Sequence, residues 1–129
     1  MISDAPSILI TDDDRDFRET LASVFRPRGF RTLMAQDGQE ALEIVRRQDV
    51  HLLLLDLNMP RLGGLETLRQ VKRYKALMPC IILSAGLDDA LIQQARAERA
   101  FSVLSKPVSC REITSAVELA LWQAYHWRP

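Results

Sequence analysis

The stretch "LLLLDLNMP", Leu52 to Pro60, runs four leucines straight into an aspartate and then leaves regular structure at a proline. The leucines read as a fully buried strand, yet they deliver a carboxylate. A buried, unpaired carboxylate costs several kcal/mol, so Asp56 must meet water, partners or a metal. Alone, an Asp ahead of Asn and Pro is ordinary turn chemistry. A second stretch, "ILITDDD" from Ile8 to Asp14, also ends a short apolar run on acids. Two strands that stop on acids suggest one shared site.

Outward from these two runs the periodicity alternates. Ser7 to Asp12 reads as a buried strand. Phe17, Leu21, Val24 and Phe25 then fall at helical spacing, and Pro27 and Gly29 in "RPRG" stop that helix. Phe30 to Ala35 is a second strand. Asp37, with Glu40 three residues on, has the spacing of a capping box and opens a helix through Ala41, Leu42 and Val45. Leu52 to Asp56 is the third strand, and Leu65, Leu68 and Val71 mark a helix after "RLGG". "CIILS", Cys80 to Ser84, is the fourth strand. Asp88 to Arg99 is a weaker, more polar helix whose two aspartates, Asp88 and Asp89, are read as helix-start residues. "FSVLS" from Phe101 and then Lys106 and Pro107 follow. Ser109 and Glu112 repeat the capping-box spacing, and Ile113, Ala116, Val117, Ala120, Leu121 and Ala124 line one face of a last helix.

Five strands alternating with five helices call for an α/β fold with a parallel sheet, helices on both faces and right-handed crossovers. With 129 residues the chain has the length of one domain, its core spanning about residues 7–122, and leaves no room for an output domain. It carries 17 Lys and Arg against 17 Asp and Glu, so no general electrostatic attraction draws it to nucleic acid or an anionic membrane. The opening "MISDAPS" lacks the regions of a signal peptide, and no apolar run is long enough to span a bilayer, so a cytoplasmic protein is expected. Cys80 and Cys110 match no metal-ligand spacing and are read as free thiols.

Ligands of open parallel sheets bind outside the carboxyl ends of the strands. Those ends carry Asp12 and Asp13, Asp56, Ser84 and Lys106. Three carboxylates gathered there repel one another, and a hard divalent cation, Mg²⁺ by preference, relieves the repulsion while keeping positions for phosphate oxygens. Asp14 is read as a helix cap that favours the helix dipole.

The ordered set of "DD" after the first strand, Asp56 in "DLNMP", Ser84-Ala85 after the fourth strand and "KP" after the fifth resembles the receiver domain of two-component response regulators, over about Ile8 to Trp122. The resemblance implies a flavodoxin-like doubly wound sheet of order 2-1-3-4-5. It implies that Asp56 is the phosphoacceptor, attacking a phosphohistidine of a histidine kinase or a histidine phosphotransfer protein. It further implies that Asp13 and Asp56 hold Mg²⁺ directly, Asp12 through water and Asn58 through its backbone carbonyl. Lys106 is then expected to pair with the phosphoryl group, and the Ser84 hydroxyl to move towards it. A carboxylate nucleophile yields a hydrolysable acyl phosphate, which suits a temporary signal read by a downstream protein target. The useful product is a conformational state, so the chain is read as a signalling protein rather than an enzyme.

In one place the sequence departs from the family. Three residues before the lysine, where family members usually carry Tyr or Phe, this chain has Val103; Phe101, two residues earlier, is expected on the same strand face. A β-branched valine offers little rotamer change, so any signal is expected to pass mainly through the Ser84 loop and the fourth helix. In "LWQAYHWRP", Leu119 and Trp122 fall off the apolar stripe and suggest a partner or homodimer surface, against the alternative that these rings fold back over the core edge. His126 is read as solvated and without a role. Two other functions stay open behind the receiver: a protein-binding module that ignores phosphate, and a Mg²⁺-dependent phosphatase, whose usual second acid is replaced here by Asn58.

Overall fold

The computed structural model describes residues 5–59 and 62–129. The opening tetrapeptide, the turn at Pro60 and Arg61 of "RLGG" lie outside the described residues. Five strands, β1 (Ser7–Thr11), β2 (Arg31–Ala35), β3 (Leu52–Asp56), β4 (Cys80–Ser84) and β5 (Ser102–Ser105), alternate with five helices, α1 (Arg15–Phe25), α2 (Gly38–Arg47), α3 (Gly64–Tyr74), α4 (Asp89–Ala97) and α5 (Cys110–Tyr125). All neighbouring strands are parallel and stand in the order β2-β1-β3-β4-β5, the flavodoxin-like order.

The four leucines of β3 alternate between two apolar layers. Leu53 and Leu55 pack with Leu42 and Val45 of α2 and Leu68 and Val71 of α3. Leu52 and Leu54 pack with Leu21 and Phe25 of α1 and Ile113 and Val117 of α5. A central strand covered on both sides has no polar positions, which is why the stretch lacks alternation. Fully burying each leucine contributes roughly 1.5–3 kcal/mol.

The helix boundaries follow local chemistry. The Asp14 carboxylate caps α1 by accepting from the backbone N–H groups of Asp16 and Phe17. After Phe25 the chain tightens into a 3₁₀ turn, Arg26–Arg28, and turns away at Gly29 with φ +91°, a conformation that favours glycine. Asp37 caps α2 through the Glu40 N–H, and Asp88 caps α4 through the Leu91 N–H. Ser109 and Glu112 form both bonds of the capping box that opens α5.

Two expectations are corrected. Phe101 precedes β5 rather than belonging to it, so strand alternation does not place it: Phe101 packs on the α1–α5 layer and Val103 on the α2–α3–α4 layer. Ala124, assigned to the buried stripe of α5, is exposed, because the inward face passes from Leu121 to Tyr125, one turn on, which packs against the α1–α5 layer. The two C-terminal tryptophans part company. Trp127 folds back to 5.1 Å from the Phe30 ring, after His126 ends α5 in the left-handed conformation. Leu119 and Trp122 stay exposed, and the Arg128 guanidinium and His126 ring stack beside Trp122. Among the described residues no helix is long and apolar enough to cross a membrane. Cys80 is buried and Cys110 exposed, both free, and burial pushes the Cys80 thiol up to about 12.

Candidate functional site

Parallel pairing carries the ladder one residue past the strands and so sets the rim. The Asp12 N–H donates to the Ala35 carbonyl at 3.1 Å, the Leu57 N–H to Leu83 at 3.0 Å and the Lys106 N–H to Ser84 at 2.9 Å. Asp12, Asp56, Ser84 and Lys106 are thereby placed side by side from residues up to 94 positions apart. Gly64, at the start of α3, backs this rim closely: a Cβ there would run into the Leu57 Cα and lie 2.9 Å from the Asp56 carbonyl oxygen.

Carboxylate oxygens of Asp12, Asp13 and Asp56 lie within 4.8 Å of one another; Asp12 and Asp56 are buried and Asp13 is exposed. The Lys106 ammonium donates to Asp12 Oδ2 at 2.7 Å and stands 3.5 Å from Asp56 Oδ2. Asp56 Oδ1 accepts from the Asn58 N–H at 3.1 Å, and Asp12 Oδ1 from the Asp14 N–H at 2.9 Å. Burial raises the Asp56 carboxyl above its ordinary range, and the Asp12 charge adds to this; the Asn58 N–H and Lys106 work the other way. For Lys106, burial acts to lower the ammonium, but the bond to Asp12 and the charges of Asp12 and Asp56 outweigh it, so it ends above its ordinary range.

One lysine faces three carboxylates, so the cluster keeps a surplus of negative charge at oxygen donors. A hard divalent cation fits that donor set and would relieve the like-charge crowding that adds to burial at Asp56. The same arrangement puts a buried carboxylate oxygen beside an ammonium, a pairing suited to receiving a transferred anionic group.

This geometry agrees with what comparison of the chain with known proteins finds. Residues 8–118 match the model of the response regulator receiver domain. The chain belongs to that family.

Among curated relatives, the receiver is 37% identical over 105 residues to a response regulator receiver protein of Anaeromyxobacter, covering 81% of this chain and 44% of that one. It is 34% identical over 111 residues to the sporulation initiation phosphotransferase F of Bacillus subtilis, covering 86% of this chain and 90% of the relative. The receiver thus spans 44% and 54% of the Anaeromyxobacter protein and of a Streptococcus pneumoniae response regulator, about half of each. A receiver domain structure from Methanospirillum hungatei superposes with a TM-score of 0.91 over 95% of this chain and 98% of the other, at 20% identity, a likeness of fold.

The receiver's Ser84 is fully buried, its hydroxyl accepting from the Asn58 side-chain amide at 3.2 Å and from the Gly86 N–H at 3.3 Å. Asn58 therefore joins two strand ends, its N–H on Asp56 and its side chain on Ser84. Two residues of α1 that the sequence reading did not connect to the rim also reach it. The Arg18 guanidinium donates to the Asp12 carbonyl at 2.6 Å, and the Phe17 ring lies under the Lys106 ammonium, 4.3 Å from nitrogen to ring centre. Phe17 sits on the apolar stripe of α1, where a core role accounts for it, and an exposed-face arginine gives no sequence signal at all.

Proposed function

We propose that the chain is a phosphoacceptor receiver of a two-component phosphorelay, with Asp56 accepting a phosphoryl group from a phosphohistidine. The observation that carries this reading is the Asp56 carboxylate, buried among Asp12, Asp13 and Lys106 with its Oδ2 3.5 Å from the ammonium. Asp56 attacks phosphorus, an O–P bond forms as the N–P bond of the phosphohistidine breaks, and the imidazole nitrogen leaves with the electron pair and takes up a proton. Asp12, Asp13, Asp56 and the Asn58 carbonyl are the residues assigned to Mg²⁺, which when bound supplies positive charge to the phosphoryl oxygens. Lys106 neutralises the same oxygens from the carboxyl end of β5. The Ser84 hydroxyl turns to the phosphoryl group by giving up its bond from Asn58.

That last movement links chemistry to output. Ser84 leads through Gly86 to α4, which buries only Ala95 among the described residues and is therefore weakly held. Val103 packs beneath it with Leu91 and Ala100, a small β-branched group in place of a ring. Signalling runs through this loop and helix to a downstream protein, and the exposed Leu119 and Trp122 of α5 are available to a protein contact with that target or a second copy. A histidine kinase or a histidine phosphotransfer protein is the donor. A neutral chain with no membrane-spanning helix among its described residues suits protein partners in the cytoplasm, not nucleic acid or a bilayer.

The test is incubation with acetyl phosphate, with Mg²⁺ or with EDTA, followed by intact mass measurement beside Asp56→Asn. A single phosphoryl adduct that needs Mg²⁺ and is lost in the variant is expected. No adduct, or one that survives the substitution, makes the phosphate-independent binding module the function.

A further inference from the structure

The Lys106 ammonium has three N–H bonds to place. One goes to Asp12 Oδ2 at 2.7 Å, one points towards Asp56 Oδ2 at 3.5 Å, and the remaining side of the group rests on the Phe17 ring, 4.3 Å from its centre. The ring is held in turn: Phe17 packs against the α1–α5 layer, and the α1 start that carries it is tied down by the Asp14 cap and by Arg18 on the Asp12 carbonyl. The ammonium is thus poised between two acids and a neutral, electron-rich face.

We infer that Phe17 is a positioning residue for Lys106, its ring holding the ammonium at the acid cluster when Asp12 is engaged elsewhere. This deepens the receiver reading and rests on it. The physical reason lies in what can compete. In the structure the ammonium's shortest contact is to Asp12 rather than to Asp56, although Asp56 is the proposed acceptor. Any cation seated among the three acids competes with Lys106 for Asp12, and an ammonium released from that bond would turn out to water, because Lys106 is partly exposed. The attraction of a ring face for an ammonium is not contested by a cation bound to carboxylates. Phe17 therefore keeps the charge within reach of the oxygens arriving on Asp56, and it does so without a fourth anion that would compete for the metal.

Phe17→Leu retains the apolar body but removes the ring face, and Phe17→Tyr restores a ring. The Lys106 ε-methylene protons of the full chain are expected upfield of their ordinary position in the wild type and in Phe17→Tyr, from the ring current, and at the ordinary position in Phe17→Leu. With acetyl phosphate and Mg²⁺, Phe17→Leu is expected to be phosphorylated about threefold to tenfold more slowly, and Phe17→Tyr at close to the wild-type rate. Wild-type ε-protons at their ordinary position overturn the inference even if Phe17→Leu does not fold. A folded Phe17→Leu phosphorylated at the wild-type rate also overturns it. A wild type that takes up no phosphoryl group defeats the receiver reading instead, and the ε-proton shift then still decides whether the ring holds the lysine.

Discussion

The two rims of the sheet solve the same problem in opposite ways. At the amino ends of the strands, three polar side chains bond to neutral backbone groups. Lys72, only 6% exposed, donates to the Met78 carbonyl at 2.7 Å; His51 Nδ1 accepts from the Ser7 N–H at 2.9 Å; the Tyr125 hydroxyl donates to the His51 carbonyl at 2.8 Å. At the carboxyl ends, Asp12, Asp56 and Lys106 depend on one another, and negative charge is left over. A rim whose side chains bond to neutral backbone groups stabilises the fold. A rim whose charges are shared and unbalanced is disposed to change partners, and that is where a cation or a phosphoryl group gains most.

If that contrast is right, the largest effect should come from crowding the carboxyl rim. Gly64→Ala forces a Cβ against Leu57 behind Asp56 and is expected to cost about 2–3 kcal/mol in urea unfolding, with slower phosphorylation by acetyl phosphate. A variant as stable as the wild type would mean that the loop relaxes freely and the rim is not tightly set.

Asp56→Asn comes next and has the opposite sign. Removing a buried carboxylate crowded by Asp12 is expected to stabilise the metal-free protein by about 1–2 kcal/mol at pH 7. The folded carboxyl titrates above the unfolded one, so between the two values the folded state binds more protons and wild-type stability rises as pH falls. The advantage of the variant should therefore be full near neutrality and shrink as acidity increases above about pH 4. Thermal melts in EDTA across this range check it, and Mg²⁺ should stabilise the wild type more than the variant. A variant less stable than the wild type at pH 7 would show that Lys106 already balances the acids.

At the quiet rim, Tyr125→Phe removes one bond from α5 to the residue before β3 and is expected to cost about 1 kcal/mol, leaving the rate of phosphorylation unchanged. Burial pushes the Tyr125 hydroxyl up to about 12, so it stays a donor throughout the accessible range. A changed rate would mean that the two rims are coupled.

The smallest effect belongs to His51. Burial lowers its imidazole, and Lys75 and Arg31 add to this against Asp49. The unfolded chain therefore takes up a proton first as pH falls through about 6.5, and stability decreases with it. Protonation would also place a donor where Nδ1 now accepts from Ser7. A loss of about 0.5–1 kcal/mol between pH 7 and pH 5.5, absent in His51→Asn, is expected from chemical denaturation.

Much of this was legible in the chain itself. Leu52–Leu55, Ile8–Ile10 and Cys80–Leu83 have no polar member, which suffices for strands covered on both sides, and the helices between them repeat at 3.6 residues with caps at Asp14, Asp37, Asp88 and Ser109. Because every strand runs the same way, every residue that ends a strand arrives at one rim, so Asp12, Asp56, Ser84 and Lys106 could be gathered by topology alone. Contacts perpendicular to the chain were not legible. Phe101 turned to the layer opposite Val103 because it lies before the strand, where alternation has no hold; Tyr125 rather than Ala124 took the last inward position of α5; and Trp127 found Phe30 while Trp122 did not. Phe17 beneath Lys106 and Arg18 on Asp12 are of the same kind. Periodicity states which side of an element faces inward, but which neighbour a side chain meets depends on how two elements pack, and only the tertiary structure decided that.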